Sequence, residues 1–287
     1  MHILTSRIQV PVICIIALLA LSGSVWGQQI VAHRGASWDA PENTLAAFEL
    51  AWERGADAVE GDFYLTADGE IVCIHDRTTA RTTDRDLVVA ETPLAELRTL
   101  DAGTWKGEQW AGERLPTLAE ALATVPETKQ FFIEVKSGVE IIDALVETIE
   151  QAGLPAEQIV VIAFDAEVVT EVRRRLPDIT ANWLLSYRHD ETTDTWSPSL
   201  DRVLTTLRRS GASGIGTHAN RDVVDETFVS ALRQRDLGFH TWTVNDLPLA
   251  QHFRELGVDS ITTDRPGWLR EKLTEATAPR EAEAAAN

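Results

Sequence analysis

Three acidic side chains, two histidines and two cations stand out in this sequence for where they fall. Glu60 and Asp62 lie two apart in one apolar run, and Glu134 and Lys136 do the same in FFIEVK. Residues two apart on a strand share a face, so each pair projects together. His33-Arg34-Gly35 closes another short apolar run, and Pro41-Glu42-Asn43-Thr44 then reads as a helix start. A strand tip, a pivoting glycine and a fresh helix N-terminus make an anion seat. Glu60, Asp62 and Glu134, converging with His75, would repel one another without a cation. Three carboxylates completed by water or phosphate oxygens suit Mg2+ or Ca2+. Zinc fits less well, because the histidines have other work to do.

Each group alone has a plainer reading. Glu60 and Asp62 could be an exposed strand face, Glu134 and Lys136 a surface ion pair, His33 a satisfied core histidine. Glu42 and Asn43 are read as helix initiation rather than catalysis. What joins the unusual polar residues is position, and that depends on the elements around them.

Short β-type runs alternate with amphipathic helical ones along most of the chain. The expected strands are Ile30–His33, Ala58–Leu65, Ile71–His75, Phe131–Val135, Ile159–Ala163, Ala181–Leu185, Ser213–Thr217, Gly238–Val244 and Ser260–Thr263. Helices are expected near Thr44–Arg54, Thr117–Ala123, Glu140–Gln151, Ala166–Arg175, Leu200–Arg209, Glu226–Arg235, Leu247–Glu255 and Trp268–Glu275, with Gly55, Gly153, Gly211 and Gly257 at C-terminal caps. Thr66-Ala67-Asp68-Gly69 signals a hairpin between the second and third strands. A two-residue Asp68-Gly69 turn would pair Ala67 with Glu70 and set His75 opposite Asp62. With the returning arm counted as an extra, eight strands remain, each followed by a helix, which is the arithmetic of a (β/α)8 TIM barrel. A doubly wound open sheet is the alternative. In a barrel the polar residues singled out fall at the C-terminal strand ends or on the hairpin arm, which is the catalytic face. The long polar stretch Arg77–Leu115, carrying Trp105 and Trp110, is expected to be a small insertion packed at the barrel mouth and partly framing the site.

Composition bounds the rest. Residues 1–27 read as a signal peptide: Arg7, an apolar stretch from Val10 to Leu21, then small residues ending at Val25-Trp26-Gly27. Cleavage would leave Gln28 first and export the chain to the periplasm or the medium. The apolar core is shorter than the ~20 residues a membrane span needs, so no stable membrane insertion of the mature chain is expected. Cys14 lies in the leader and Cys73 is alone in the mature chain, where it is expected to fill core space. The barrel domain is expected over 28–270, with an Ala/Glu-rich tail over 271–287. The net charge of −19 repels phosphate backbones and anionic headgroups, which excludes nucleic acid as a partner. A phosphate-bearing substrate would need a local cationic site, and a divalent metal would supply one.

The motifs AHRG with PENTLAAF, VEGDFYLTADGEIVCIHD with the RTT that follows, LPTLAEAL, FFIEVK, TWTVN and ITTDRP resemble, in order and spacing, the glycerophosphodiester phosphodiesterase family. The resemblance spans most of the mature chain. It implies a barrel of the phospholipase C-like type, bound Mg2+ or Ca2+, and hydrolysis of glycerophosphodiesters to glycerol 3-phosphate and an alcohol. It further implies that His33 and His75 are the general acid/base pair and that Glu60, Asp62 and Glu134 are the metal ligands. Arg34 and Lys136 would hold the phosphate, and Trp242 would line the glycerol side, with Phe164 also facing the substrate. The family often has Ser-Phe where this chain has Ala163-Phe164, so one polar contact near the substrate is missing. Two other readings stay open at this point. One is a lysophospholipase D-type phosphodiesterase with a more apolar mouth, and the other a non-catalytic phosphodiester-binding module.

Overall fold

The computed structural model describes residues 28–277; the expected leader and residues 278–287 of the expected tail lie outside the described residues. The strands are β1 (Gln29–Ala32), β2 (Ala58–Leu65), β3 (Ile71–Cys73), β4 (Gln130–Val135), β5 (Ile159–Ala163), β6 (Thr180–Leu185), β7 (Arg188–Asp190), β8 (Thr195–Ser197), β9 (Gly214–His218), β10 (Gly238–Trp242) and β11 (Ser260–Thr263). In the order β1-β2-β4-β5-β6-β9-β10-β11, eight of them run parallel and close on themselves through β11 and β1. A helix follows each, the first being Leu45–Glu53 and the last Pro266–Thr277. This is the expected (β/α)8 barrel.

Alternation along the strands separates two apolar layers. Val31, Ala58, Phe132, Val160, Ile162 and Leu184 pack together with Trp242 in one cluster. Residues of the opposite face, such as Val59, Phe63, Ile133 and Val161, join the helices in a larger one. Side-chain oxygens of Thr44, Thr117, Asp165, Ser199, Asp225 and Asp246 cap six of the helices by accepting backbone N–H bonds. Each of these helices follows a barrel strand and precedes the next, so their N-termini lie towards the C-terminal ends of the strands, at the mouth. Among the described residues, no helix is long and apolar enough to cross a membrane.

The first hairpin departs from the expected register. Phe63 pairs with Cys73 and Leu65 with Ile71, and Ile74 donates to the Asp62 carbonyl, so Ile74 rather than His75 stands opposite Asp62. The turn holds three residues instead of two. Thr66 N–H bonds the Glu70 carbonyl, Gly69 N–H bonds the Thr66 carbonyl, and Gly69 sits at φ 84°. A type I turn followed by a left-handed glycine is the usual three-residue solution, and Thr66 Oγ1 favours it by bonding both Asp68 Oδ1 and the Glu70 N–H. Strand β3 therefore ends at Cys73, and His75 lies past it.

The stretch 77–115 forms short helical turns at Val89–Glu91, Leu94–Leu97 and Glu108–Trp110 around a small apolar cluster that includes Val72, Ile74, Leu97, Leu100 and Leu115. The β7/β8 hairpin was not expected. Its strands are mostly exposed and polar, so no apolar alternation marks them.

Gly35 is where the chain turns from β1 towards the first helix, at φ 81°, and a Cβ there would lie 2.6 Å from the backbone of Ala47. Gly69 has a similar φ and nothing within 4 Å. Gly35→Ala is expected to cost about 2–5 kcal/mol, from left-handed strain of roughly 1–2 plus overpacking of roughly 1–3. Gly69→Ala carries only the strain, about 1–2 kcal/mol. Urea unfolding of the two variants measures the difference; equal losses would show that the Ala47 contact does not constrain the turn.

Candidate active site

The end of β1 delivers His33 and Arg34 to the mouth. His33 Nδ1 lies 2.7 Å from Asp264 Oδ1, and Asp264 also accepts from Ser37 Oγ at 3.0 Å and from the Asn245 amide. Burial alone would raise the Asp264 pKa, but the His33 hydrogen bond and charge, then Asn245 and Ser37, hold it at about 2. An ionised carboxylate only accepts, so Nδ1 of His33 carries the hydrogen and Nε2 is the ring's acceptor. His75 repeats the device, with Nδ1 2.7 Å from Asp76 Oδ1.

Arg34 occupies a left-handed conformation at φ 54°, which costs a non-glycine residue roughly 1–2 kcal/mol. Its partners stabilise it there. The backbone N–H donates to Glu60 Oε2 at 2.9 Å, Nη1 donates to Glu42 Oε1 at 2.8 Å, and Nε lies 3.1 Å from Asp62 Oδ2.

Strands β2 and β4 supply the carboxylates. Glu60, Asp62 and Glu134 are buried, and each offers an oxygen within 4.8 Å of the others. The Glu60 carboxyl is pushed well above its usual range by burial and by the charges of Asp62 and Glu134; its Oε1 is buried with no hydrogen-bond partner among the described residues. Glu134 is raised by burial and Asp62, although Lys136 Nζ lies 2.7 Å from its Oε1. Burial presses on Asp62 too, but Arg34, Lys136 and His75 outweigh it and keep this carboxyl low. Asn43 locks Asp62 in place, donating Nδ2 to Oδ2 at 2.8 Å and accepting the Asp62 N–H at 3.1 Å.

His33, Arg34, Glu60, His75, Glu134 and Lys136 face a chamber of about 160 Å³, with Phe164 and Trp242 on its wall. Of the residues singled out from sequence, Asp62 alone is not on the chamber surface; it lies among Asn43, Arg34 and Lys136, with Lys136 Nζ 3.4 Å away. Phe164 and Trp242 meet edge to face at 5.6 Å. The Trp242 indole N–H is buried and has no partner among the described residues.

Several site residues were missed by the sequence reading. Glu42 is no mere helix starter, since Thr44 is the cap. It accepts two bonds from Arg81, both at 2.8 Å, besides the one from Arg34. Arg81 also bonds Asp76, so Arg34, Glu42, Arg81, Asp76 and His75 form a continuous bridge across the mouth. Asn43, likewise read as helix initiation, instead holds Asp62, and Asp264 and Asn245 were given no role. The signal for Asp264 and Asn245 was their place just beyond strand ends, in TTDRP and TVN, whereas Asn43 lies in PENT at the entry to the first helix. Cys73 is buried as expected, and its thiol also donates to Asn43 Oδ1.

A parallel barrel whose C-terminal mouth gathers two carboxylate-held histidines, two cations and a buried carboxylate trio has the layout of an enzyme, with the candidate active site at that mouth. The chain belongs to the glycerophosphoryl diester phosphodiesterase family, whose sequence model matches residues 33–268. It is similar to the glycerophosphodiester phosphodiesterase of Caldanaerobacter subterraneus subsp. tengcongensis, 32% identical over 83% of this chain and 94% of that one. Among solved structures it is similar to a phosphodiesterase of Oleispira antarctica in complex with the product sn-glycerol-3-phosphate. That match has a TM-score of 0.74 and 31% identity, covering 86% of this chain and 96% of that one. It is also similar to the glycerophosphodiester phosphodiesterase of Agrobacterium tumefaciens str. C58, with a TM-score of 0.70 and 26% identity over 85% and 99% of the two chains.

The depressed Asp264 pKa makes a pH prediction. Its contribution to stability is present above the unfolded value near 3.8 and is lost as pH falls through about 2. Wild type is therefore expected to exceed Asp264→Asn in unfolding free energy at pH 5–6, with the gap narrowing as pH drops from 4 towards 2. Denaturant unfolding across that range tests it, and a gap that stays constant would contradict it.

Proposed function

We propose that this protein hydrolyses glycerophosphodiesters to glycerol 3-phosphate and an alcohol, using His33 and His75 as acid and base and one divalent cation. The observation that carries this reading is the meeting of both anchored histidines, Arg34 and Lys136 at one small chamber beside the buried carboxylate trio. Family membership supports it, as does the product bound to the Oleispira relative. The trio suits a cation on its own terms, because Glu60 Oε1 has no partner and two of the three carboxyls are driven up by burial and mutual charge. Glu60, Asp62 and Glu134 would hold it. Mg2+ or Ca2+ bound there would withdraw charge from the phosphate oxygens.

The chain's own groups do the rest. Arg34 and Lys136 hold the anionic phosphate, while Phe164 and the Trp242 ring wall the glycerol carbons. The free Trp242 N–H offers a donor to a glycerol hydroxyl. Burial is the largest effect on His75 and holds it below its usual range, so it is neutral near pH 7. One histidine accepts the proton of the glycerol hydroxyl next to the phosphoester, and that oxygen bonds to phosphorus. As the bond from phosphorus to the leaving alcohol breaks, the other histidine gives the departing oxygen its proton. Water then attacks the resulting cyclic phosphate with the histidine roles reversed, and one ring P–O bond opens to give glycerol 3-phosphate. An internal hydroxyl has an effective-molarity advantage of up to roughly 7–11 kcal/mol over an external one. Export to the periplasm or medium is part of the proposal and rests on the sequence of residues 1–27.

His33→Ala and His75→Ala are each expected to lower kcat by roughly 10²-fold or more with modest change in KM. A substrate with a 2-deoxy glycerol moiety is expected to resist hydrolysis by wild type. Steady-state kinetics on parent and analogue check both, and hydrolysis of the analogue at the parental rate would replace internal attack by attack of water.

A further inference from the structure

His33 and Arg34 have space on two sides. Beyond them, away from the inner chamber, lies a second cavity of about 460 Å³, bounded by Ser37, Trp38, Glu42, Trp105, Lys106 and Asp264. The residues lining the two cavities have only His33 and Arg34 in common. A phosphodiester has two arms on one phosphorus, and a phosphorus held at this junction would put one arm in each space. We propose that the outer cavity is the subsite for the leaving alcohol and that it takes a neutral polyhydroxyl group, such as glycerol or a ring polyol, in preference to a quaternary ammonium. This rests on the reading above, in which the glycerol arm fills the inner chamber.

The outer cavity is a built structure. Trp105 and Lys106 sit on a loop held by Asp101, whose carboxylate accepts the N–H groups of Gly103, Thr104 and Gly112 at 2.8–2.9 Å. Trp105 Nε1 donates to the Ala102 carbonyl at 2.9 Å, and Lys106 Nζ ties the loop to the β1 end by donating to the Ser37 carbonyl at 2.7 Å. Gly103 is needed there, since a Cβ would lie 1.8 Å from the Trp110 carbonyl oxygen. On the other wall, Trp38 N–H donates to the Asp264 carbonyl at 3.1 Å.

The lining decides the chemistry. Trp38 is 57% exposed and Trp105 41%, so both present aromatic surface to a ligand. Both already have a cation of the protein's own nearby: Lys106 Nζ lies 5.7 Å from the Trp105 ring, and the Arg265 guanidinium lies 4.6 Å from Trp38 and 4.4 Å from Trp268. An ammonium headgroup needs aromatic faces without competing cations, and here Lys106 and Arg34 line the cavity while Arg265 already stacks on Trp38. Hydroxyls both donate and accept. Lys106 has N–H groups left to give, and the carboxylates of Asp264 and Glu42 have lone pairs left to receive.

The test compares kcat/KM for glycerophosphoinositol, glycerophosphoglycerol and glycerophosphocholine, each as a ratio to glycerophosphomethanol, whose leaving group is too small to fill the cavity. Wild type is expected to favour the two polyol esters over the choline ester by about tenfold, and Trp38→Ala and Lys106→Met to bring the polyol-to-methyl ratio down by about tenfold. Because the readout is a ratio within one preparation, partial loss of folded enzyme does not affect it. A preference for the choline ester, or polyol-to-methyl ratios unchanged in both variants, would overturn the inference. Failure to turn over any ester, the methyl one included, would instead overturn the proposed function.

Discussion

Mutual repulsion among Glu60, Asp62 and Glu134 is the constraint from which the rest of the mouth follows. With oxygens within 4.8 Å, each pair of ionised carboxylates costs about 3–4 kcal/mol at an effective dielectric near 20. The fold answers with Arg34, Lys136 and Asn43. Arg34 reaches Asp62 and Glu60 together only because the chain turns left-handed at Arg34 and again at Gly35. The glycine is in turn required by the first helix packing against that turn. Two cations against three carboxylates leave the cluster one positive charge short or one proton heavy, and the raised Glu60 and Glu134 record that shortage.

The same arrangement serves the histidines. Asp264 and Asp76 fix the tautomers, and the bridge from Asp76 through Arg81 and Glu42 ties His75 to Arg34. In the proposed reaction one connected set of charges would hold a substrate oxygen and its proton acceptor, and small displacements at a reacting centre are expensive. Arg81 is partly exposed, yet its fork geometry lets it bind two carboxylates at once, which lysine could not reproduce.

What could be read beforehand was whatever repeats locally. Strands β2, β5 and β11 have the bounds expected from apolar runs, because burial on the barrel imposes a period that composition displays. Glu60, Asp62, Glu134 and Lys136 were legible for the same reason, as polar interruptions of that period. The hairpin register was misread because turn length depends on Thr66 Oγ1 and the left-handed Gly69, and an Asp-Gly pair alone fits two lengths. Glu42, Arg81 and Asp264 were passed over because their partners lie 39 and 231 residues away, at distances no local pattern carries.

The central claim is that the carboxylate trio is a cation site and not a self-sufficient ion-pair cluster. Thermal unfolding of the chelator-stripped protein with and without Mg2+ or Ca2+, in wild type and Glu60→Gln, tests it most directly. One of the ions is expected to raise the wild-type Tm by a few degrees, since a ligand that binds only the folded state stabilises it. Ion-free Glu60→Gln should be at least as stable as ion-free wild type, with a buried repulsion removed, and should gain little from either ion. A wild-type Tm indifferent to both ions, together with a Glu60→Gln variant clearly less stable than wild type without them, would contradict the claim.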